Sequence, residues 1–108
     1  MGKNIYSPEA VYFSELMHVE KPGRYAGGEF GSIVPDPNAT IRIALCFPDL
    51  YEIGMSNLAV RIMYQRWNSI QGISCERVFT PAPDFEDLLR TKNRLLFSIE
   101  TGTPLNEF

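Results

Sequence analysis

The sequence predicts an α/β fold built on a parallel sheet, and three observations predict it. Ile41 to Phe47 is a nearly continuous apolar run, not an alternating one, the pattern of a strand covered on both faces. An amphipathic segment follows, and then a second apolar run from Ser74 to Phe79. Strand, helix, strand is the alternation that pairs parallel strands through a right-handed crossover. A further helix and a third candidate strand at Leu95 to Ile99 extend the pattern to half of a doubly wound domain. The expectation is a partial Rossmann-like, three-layer parallel sheet, a fragment of a larger domain excised from a longer protein.

Each element has a local reason. Ser7-Pro8-Glu9 offers a hydroxyl cap, proline at the first helical position and an acid in the first turn, which starts a helix. Tyr12, Phe13, Leu16 and Met17 give it an apolar stripe, His18 falls at its C-terminal end, and Lys21-Pro22-Gly23 stops it. The glycine-rich stretch Gly27-Gly28-Glu29 reads as a tight approach of this arm to the sheet or as an anion-binding nest, and it leads to a short strand at Phe30 to Val34. Pro35-Asp36-Pro37-Asn38 is a turn, so residues 1–36 form a helix-and-arm segment and 37–108 the incomplete α/β domain.

After the strand Ile41 to Phe47 comes a loop, then a helix from about Asn57 to Ile70. On that helix Leu58, Ala59, Ile62, Met63, Trp67 and Ile70 are expected on the core side, with Arg61, Gln65 and Asn68 opposite. Gly72 closes it and Ser74 to Phe79 is the second core strand. Asp84, Glu86 and Asp87 open the next helix, whose apolar face is Phe85, Leu88 and Leu89. Gly102-Thr103-Pro104 turns the chain after the third strand.

Composition narrows the function. The 108 residues carry 10 Lys plus Arg against 13 Asp plus Glu, a net charge of -3, which argues against nucleic-acid binding through bulk charge. No uncharged apolar run approaches the roughly 20 residues of a membrane helix, and acids at Glu9 and Glu15 interrupt the place of a signal-peptide core. A cytoplasmic protein is expected. Cys46 and Cys75, both within apolar runs, are expected as buried free thiols. With two distant cysteines and one histidine, neither a zinc site nor a Ser/His/Asp or Cys/His catalytic set is available. No catalytic or metal-binding residue is assigned.

Ligands of open α/β sheets lie at the carboxyl ends of the strands. That points to the loop after the first core strand, with Asp49, Tyr51, Glu52, Gly54, Ser56 and Asn57 as candidate cofactor-binding residues. Two carboxylates, a phenol, a glycine that admits close backbone approach and a Ser-Asn pair at a helix start suit a polar ligand. The same residues also read as caps of the turn and of the helix.

The spacing Asp49-x-Tyr51-x-x-Gly54 is similar to the Asp-x-His-x-x-Gly signature of cobalamin-binding domains, with Tyr51 in the histidine's place. Further runs extend the likeness: Lys21-Pro22-Gly23-Arg24-Tyr25 with Gly27-Gly28-Glu29, Phe47 to Ser56, Glu76-Arg77-Val78-Phe79 with Pro81, Pro83 and Asp84, and Leu96-Phe97-Ser98 to Pro104-Leu105. Together they resemble the N-terminal part of a group of radical S-adenosylmethionine (radical SAM) iron-sulfur proteins with a cobalamin-binding-like domain. The resemblance implies a parent enzyme with a 4Fe-4S cluster and S-adenosylmethionine at a downstream CxxxCxxC motif, which this chain lacks. It implies a module that positions substrate or cofactor for that downstream domain, with cobalamin as a possible cofactor. Tyr51 weighs against a cobalt ligand, because a phenol of pKa about 10 replaces an imidazole. Competing readings are a non-catalytic protein-interaction module and a small-ligand-binding α/β domain. Arg24 and Arg77 are expected as ion-pair partners or as residues facing the missing domain.

Overall fold

A two-stranded parallel sheet forms the centre of the chain, β1 (Ile41–Phe47) beside β2 (Ile73–Phe79), in register from Ile41 opposite Ile73 to Phe47 opposite Phe79. The computed structural model describes residues 16–25, 27–28 and 31–108, so the helix expected from Ser7, together with Glu29 and Phe30, lies outside the described residues. Between the strands run a short helix α1 (Tyr51–Met55) and α2 (Leu58–Asn68), and α3 (Pro83–Thr91) follows β2. Single 3-10 turns occupy Pro22–Arg24 and Leu105–Glu107. The α/β class and the parallel crossover agree with the sequence reading. Among the described residues no helix is long and apolar enough to cross a membrane.

The expected third strand is absent from the described residues, and the outer edge of β2 shows why. The Asn68 side chain takes both backbone groups of Cys75: Nδ2 donates to its carbonyl at 3.0 Å and Oδ1 accepts from its N–H at 2.9 Å. At Arg77 the N–H donates to Glu100 Oε1 at 2.8 Å and the carbonyl accepts from the Ile99 N–H at 2.9 Å. An edge whose donors and acceptors are satisfied offers nothing to a further strand. Residues 95–99 instead enter a reversal in which the Ser98 N–H donates to the Thr103 carbonyl at 3.0 Å, leaving one isolated bridge between Phe97 and Pro104. The strand expected up to Val34 is also missing from 31–34. There the Ile33 N–H donates to the Tyr64 hydroxyl at 2.8 Å instead of to a ladder.

Coverage is unequal. β2 is buried from Ser74 to Phe79, whereas β1 is nowhere fully buried and Ile41 is 53% exposed. β1 is therefore a partly exposed strand, not the doubly covered one expected. As a result Cys46 is exposed, against expectation, while Cys75 is buried, and both are free thiols.

The inward face of α2 is rotated from the one its apolar count suggests: Met63 and Trp67 are half-buried and Arg61 and Gln65 exposed as expected, but Ala59 and Ile70 are exposed. Val60 and Tyr64 are buried, whereas Leu58 is 66% and Ile62 57% exposed. Buried polar groups demand partners, and the inward face supplies them: Asn68 to Cys75, and the Tyr64 ring against Arg77, whose Cζ lies 4.1 Å from its centroid. Those bonds outweigh the burial of two aliphatic side chains. Asn57 caps the helix as expected, its Oδ1 accepting from the Val60 N–H at 3.0 Å.

Two apolar clusters flank the sheet. Val60, Phe79 and Ile99 form one, with Leu45, Phe47, Tyr51 and Met55 around them. In the other, Phe85 of α3 is the centre, with Leu16, Tyr25, Leu89 and Phe97. Tyr25 stacks on its ring at 4.0 Å and Phe97 meets it edge-on at 5.7 Å. The face of Phe85, Leu88 and Leu89 is as the sequence predicts. Gly28 is not a point of close approach: a Cβ there would meet nothing, and φ of +74° is what requires glycine.

In urea unfolding of this chain, Phe85→Ala should cost about 3–5 kcal/mol, since it empties a fully buried aromatic site. Leu58→Ala should change stability by no more than about 0.5 kcal/mol, as for an exposed position. The reverse order would restore the helix face that the apolar count suggests.

Candidate functional site

Strand β1 delivers residues 48–57 at its carboxyl end, and half of that segment is the helix α1 where a loop was expected. Asp49 Oδ1 accepts from the Leu50 N–H at 2.8 Å, and its carbonyl accepts from the Thr80 N–H at 2.9 Å, which ties the segment to the end of β2. Glu52 accepts from Arg24 Nε at 2.9 and 3.1 Å. The Arg24 guanidinium holds the Glu52 carboxyl below the usual carboxylate range, and Glu52 in turn raises Arg24. Ser56 Oγ donates to the Glu52 carbonyl at 2.9 Å, and Asn57 is the cap of α2.

Tyr51 and Gly54 are set by one neighbour. The Tyr51 ring meets Phe79 edge-on at 5.8 Å, and a Cβ built on Gly54 would collide with the same Phe79 ring. The glycine expected to admit a ligand thus admits an aromatic side chain of β2. All six expected residues come together in one compact turn, and each has a partner inside the protein.

A cavity of about 610 Å³ opens beside this turn, between α2 and the strap at Gly31, and Gly54 is the expected site residue that lines it. Arg77 forms its inner wall, under the ring of Tyr64. Arg77 Nε lies 2.6 Å from Glu100 Oε2, and both side chains are buried. Burial pushes the Glu100 carboxyl up while Arg77 pulls it down, and burial likewise raises the Tyr64 phenol. Alternate strand residues face opposite sides, so Glu76 points the other way. It accepts from Arg42 Nη2 at 2.9 Å, Ser98 Oγ at 2.6 Å and Thr101 Oγ1 at 2.7 Å. The ion-pair expectation for Arg24 and Arg77 therefore holds. Sequence reasoning missed Glu76, Glu100 and Tyr64 as a set. The available signal was Glu76-Arg77 inside an otherwise apolar strand, because buried charges require partners.

Iron-sulfur clusters of the four-iron type are held by several cysteine thiolates, and this chain has two cysteines, one of them buried. Among the described residues no group of three His, Cys, Asp or Glu side chains could hold a metal ion. The residues present do not fit such a cluster. Nor do they fit a cobalt ligand of the imidazole type, since the corresponding side chain is the Tyr51 phenol packed on Phe79.

Residues 59–108, which cover α2 from Ala59 through β2, α3 and the C-terminal reversal, match the family model described as radical SAM proteins, N-terminal. The match begins beyond the Asp49 to Asn57 turn. No curated protein and no solved structure matches the chain significantly.

Two measurements test this geometry. Arg77→Met should cost about 3–5 kcal/mol in urea unfolding because it strands a buried carboxylate, and Arg77→Met with Glu100→Leu should recover much of that loss. No recovery in the double variant would show that the guanidinium acts elsewhere. With iodoacetamide on the folded protein, Cys46 should be the thiol alkylated. Burial pushes the Cys75 thiol up to about 12, so Cys75 should react only after unfolding. Two adducts on the native chain, read by intact mass, would contradict its burial.

Proposed function

We propose that this chain, an N-terminal region of a radical SAM protein by its match over residues 59–108, is a non-catalytic positioning module. It holds substrate or cofactor for radical chemistry carried out in a following domain of the same polypeptide. The family match carries the reading. It is supported by the cysteine count, because two cysteines are too few for the ligands of a 4Fe-4S cluster, so in this reading the cluster and its S-adenosylmethionine belong to the following domain. The ligand-facing edge is the turn at the carboxyl end of β1, where Asp49, Tyr51, Glu52, Gly54, Ser56 and Asn57 lie. Their internal bonds preorganise it, as a binding edge on a rigid element requires. Cobalamin has no part in this reading. A cytoplasmic setting suits its free thiols.

The test compares the full-length protein with this chain after anaerobic iron-sulfur reconstitution. The full-length protein should take up iron and bind S-adenosylmethionine, and the 108-residue chain should do neither. Asp49→Asn and Ser56→Ala in the full-length protein should leave iron content unchanged and raise KM for its substrate. Iron-sulfur absorbance from the chain alone, or a full-length protein that takes up no cluster, would overturn the proposal.

A further inference from the structure

We infer that the outward face of α2 is the docking surface for an acidic, apolar segment of the domain that follows in the same polypeptide, an inference that rests on the radical SAM reading above. Positions three and four apart share one side of a helix, and Leu58, Arg61, Ile62, Gln65 and Arg66 recur at that spacing along one wall of the 610 Å³ cavity. Leu58 and Ile62 are the two aliphatic side chains that the inward packing of Val60 and Tyr64 leaves in water. Arg61 and Arg66 form no ion pair among the described residues, and α2 itself contains no acidic residue. Aliphatic side chains set between two guanidinium groups that form no ion pair among the described residues are complementary to a segment that carries apolar residues between carboxylates.

Other occupants fit less well. A second copy docking across a twofold axis would set the same patch against itself and bring the arginines of each copy together. A single-stranded nucleic acid would want stacking aromatics and a wider basic surface, whereas this face has two arginines and the chain a net charge of -3. A small anion site would bury its polar groups, and Arg61 and Arg66 are exposed.

Arginine modification with phenylglyoxal, read residue by residue by mass spectrometry, tests the inference on the full-length protein and on the 108-residue chain. Arg61 and Arg66 should react in the chain alone and lose that reaction in the full-length protein. Arg90, which pairs within α3 with Glu86, should react equally in both. Ile62→Glu in the full-length protein should restore the reaction at Arg61 and Arg66. The paired change Arg61→Glu with Arg66→Glu should weaken binding of this chain to the separately produced following domain at least about tenfold. Equal modification in both forms overturns the inference, as does a concentration-dependent dimer of the chain that protects both arginines. Protection by a single-stranded oligonucleotide at physiological salt also overturns it. Iron content of the same full-length sample separates the two levels. A cluster-bearing protein with both arginines still reactive defeats the docking surface alone, and a protein without cluster defeats the reading beneath it.

Discussion

Two charged neighbours in the middle of β2, Glu76 and Arg77, hold the structure together. One faces each side of the sheet, both are buried, and each reaches the same stretch of chain beyond α3. Glu76 gathers Ser98 and Thr101 on one face, while Arg77 takes Glu100 on the other. A lone buried charge is strongly destabilising, and a hydrogen-bonded partner offsets part of that penalty. The reversal at 97–104 is thus pinned by groups that cannot leave it without stranding a charge.

That clamp also accounts for the unusual distribution of apolar surface. With Glu100 and Asn68 satisfying the outer edge of β2, the sheet is closed on that side and open at β1. Asn68 and Tyr64 in turn fix the rotation of α2, which leaves Leu58 and Ile62 in solvent. Burying Leu58 and Ile62 instead would gain about 1.5–3 kcal/mol for each, but would expose Val60 and the Tyr64 ring. Satisfying buried polar groups decides the outcome here.

The sequence was readable where one signal dominated. The apolar runs marked β1 and β2, and Asn57 and the acids after Pro83 marked the starts of α2 and α3. It misled where long-range polar contacts decided the structure. Nothing local says that Asn68 pairs with Cys75, or that residues 95–99 turn back on themselves instead of joining the sheet. At the candidate site the placement at the carboxyl end of β1 was legible. What Gly54 accommodates was not, because Phe79 lies twenty-five positions further along the chain.

The spacing of the clamp bears on which part of the chain holds its own fastenings. The bonds from Glu76 and Arg77 to Ser98, Glu100 and Thr101 close loops of only 22 to 25 residues, and the entropy of closing a loop rises slowly with its length. Joining β1 to β2 instead means bringing together residues 32 apart, such as Ile41 and Ile73. The segment from β2 to the reversal at 97–104 therefore holds its own short-range fastenings. It lies wholly within residues 59–108, the stretch that the family model matches. The matched stretch thus carries both ends of the bonds between β2 and the reversal, to which β1 adds Arg42 on Glu76.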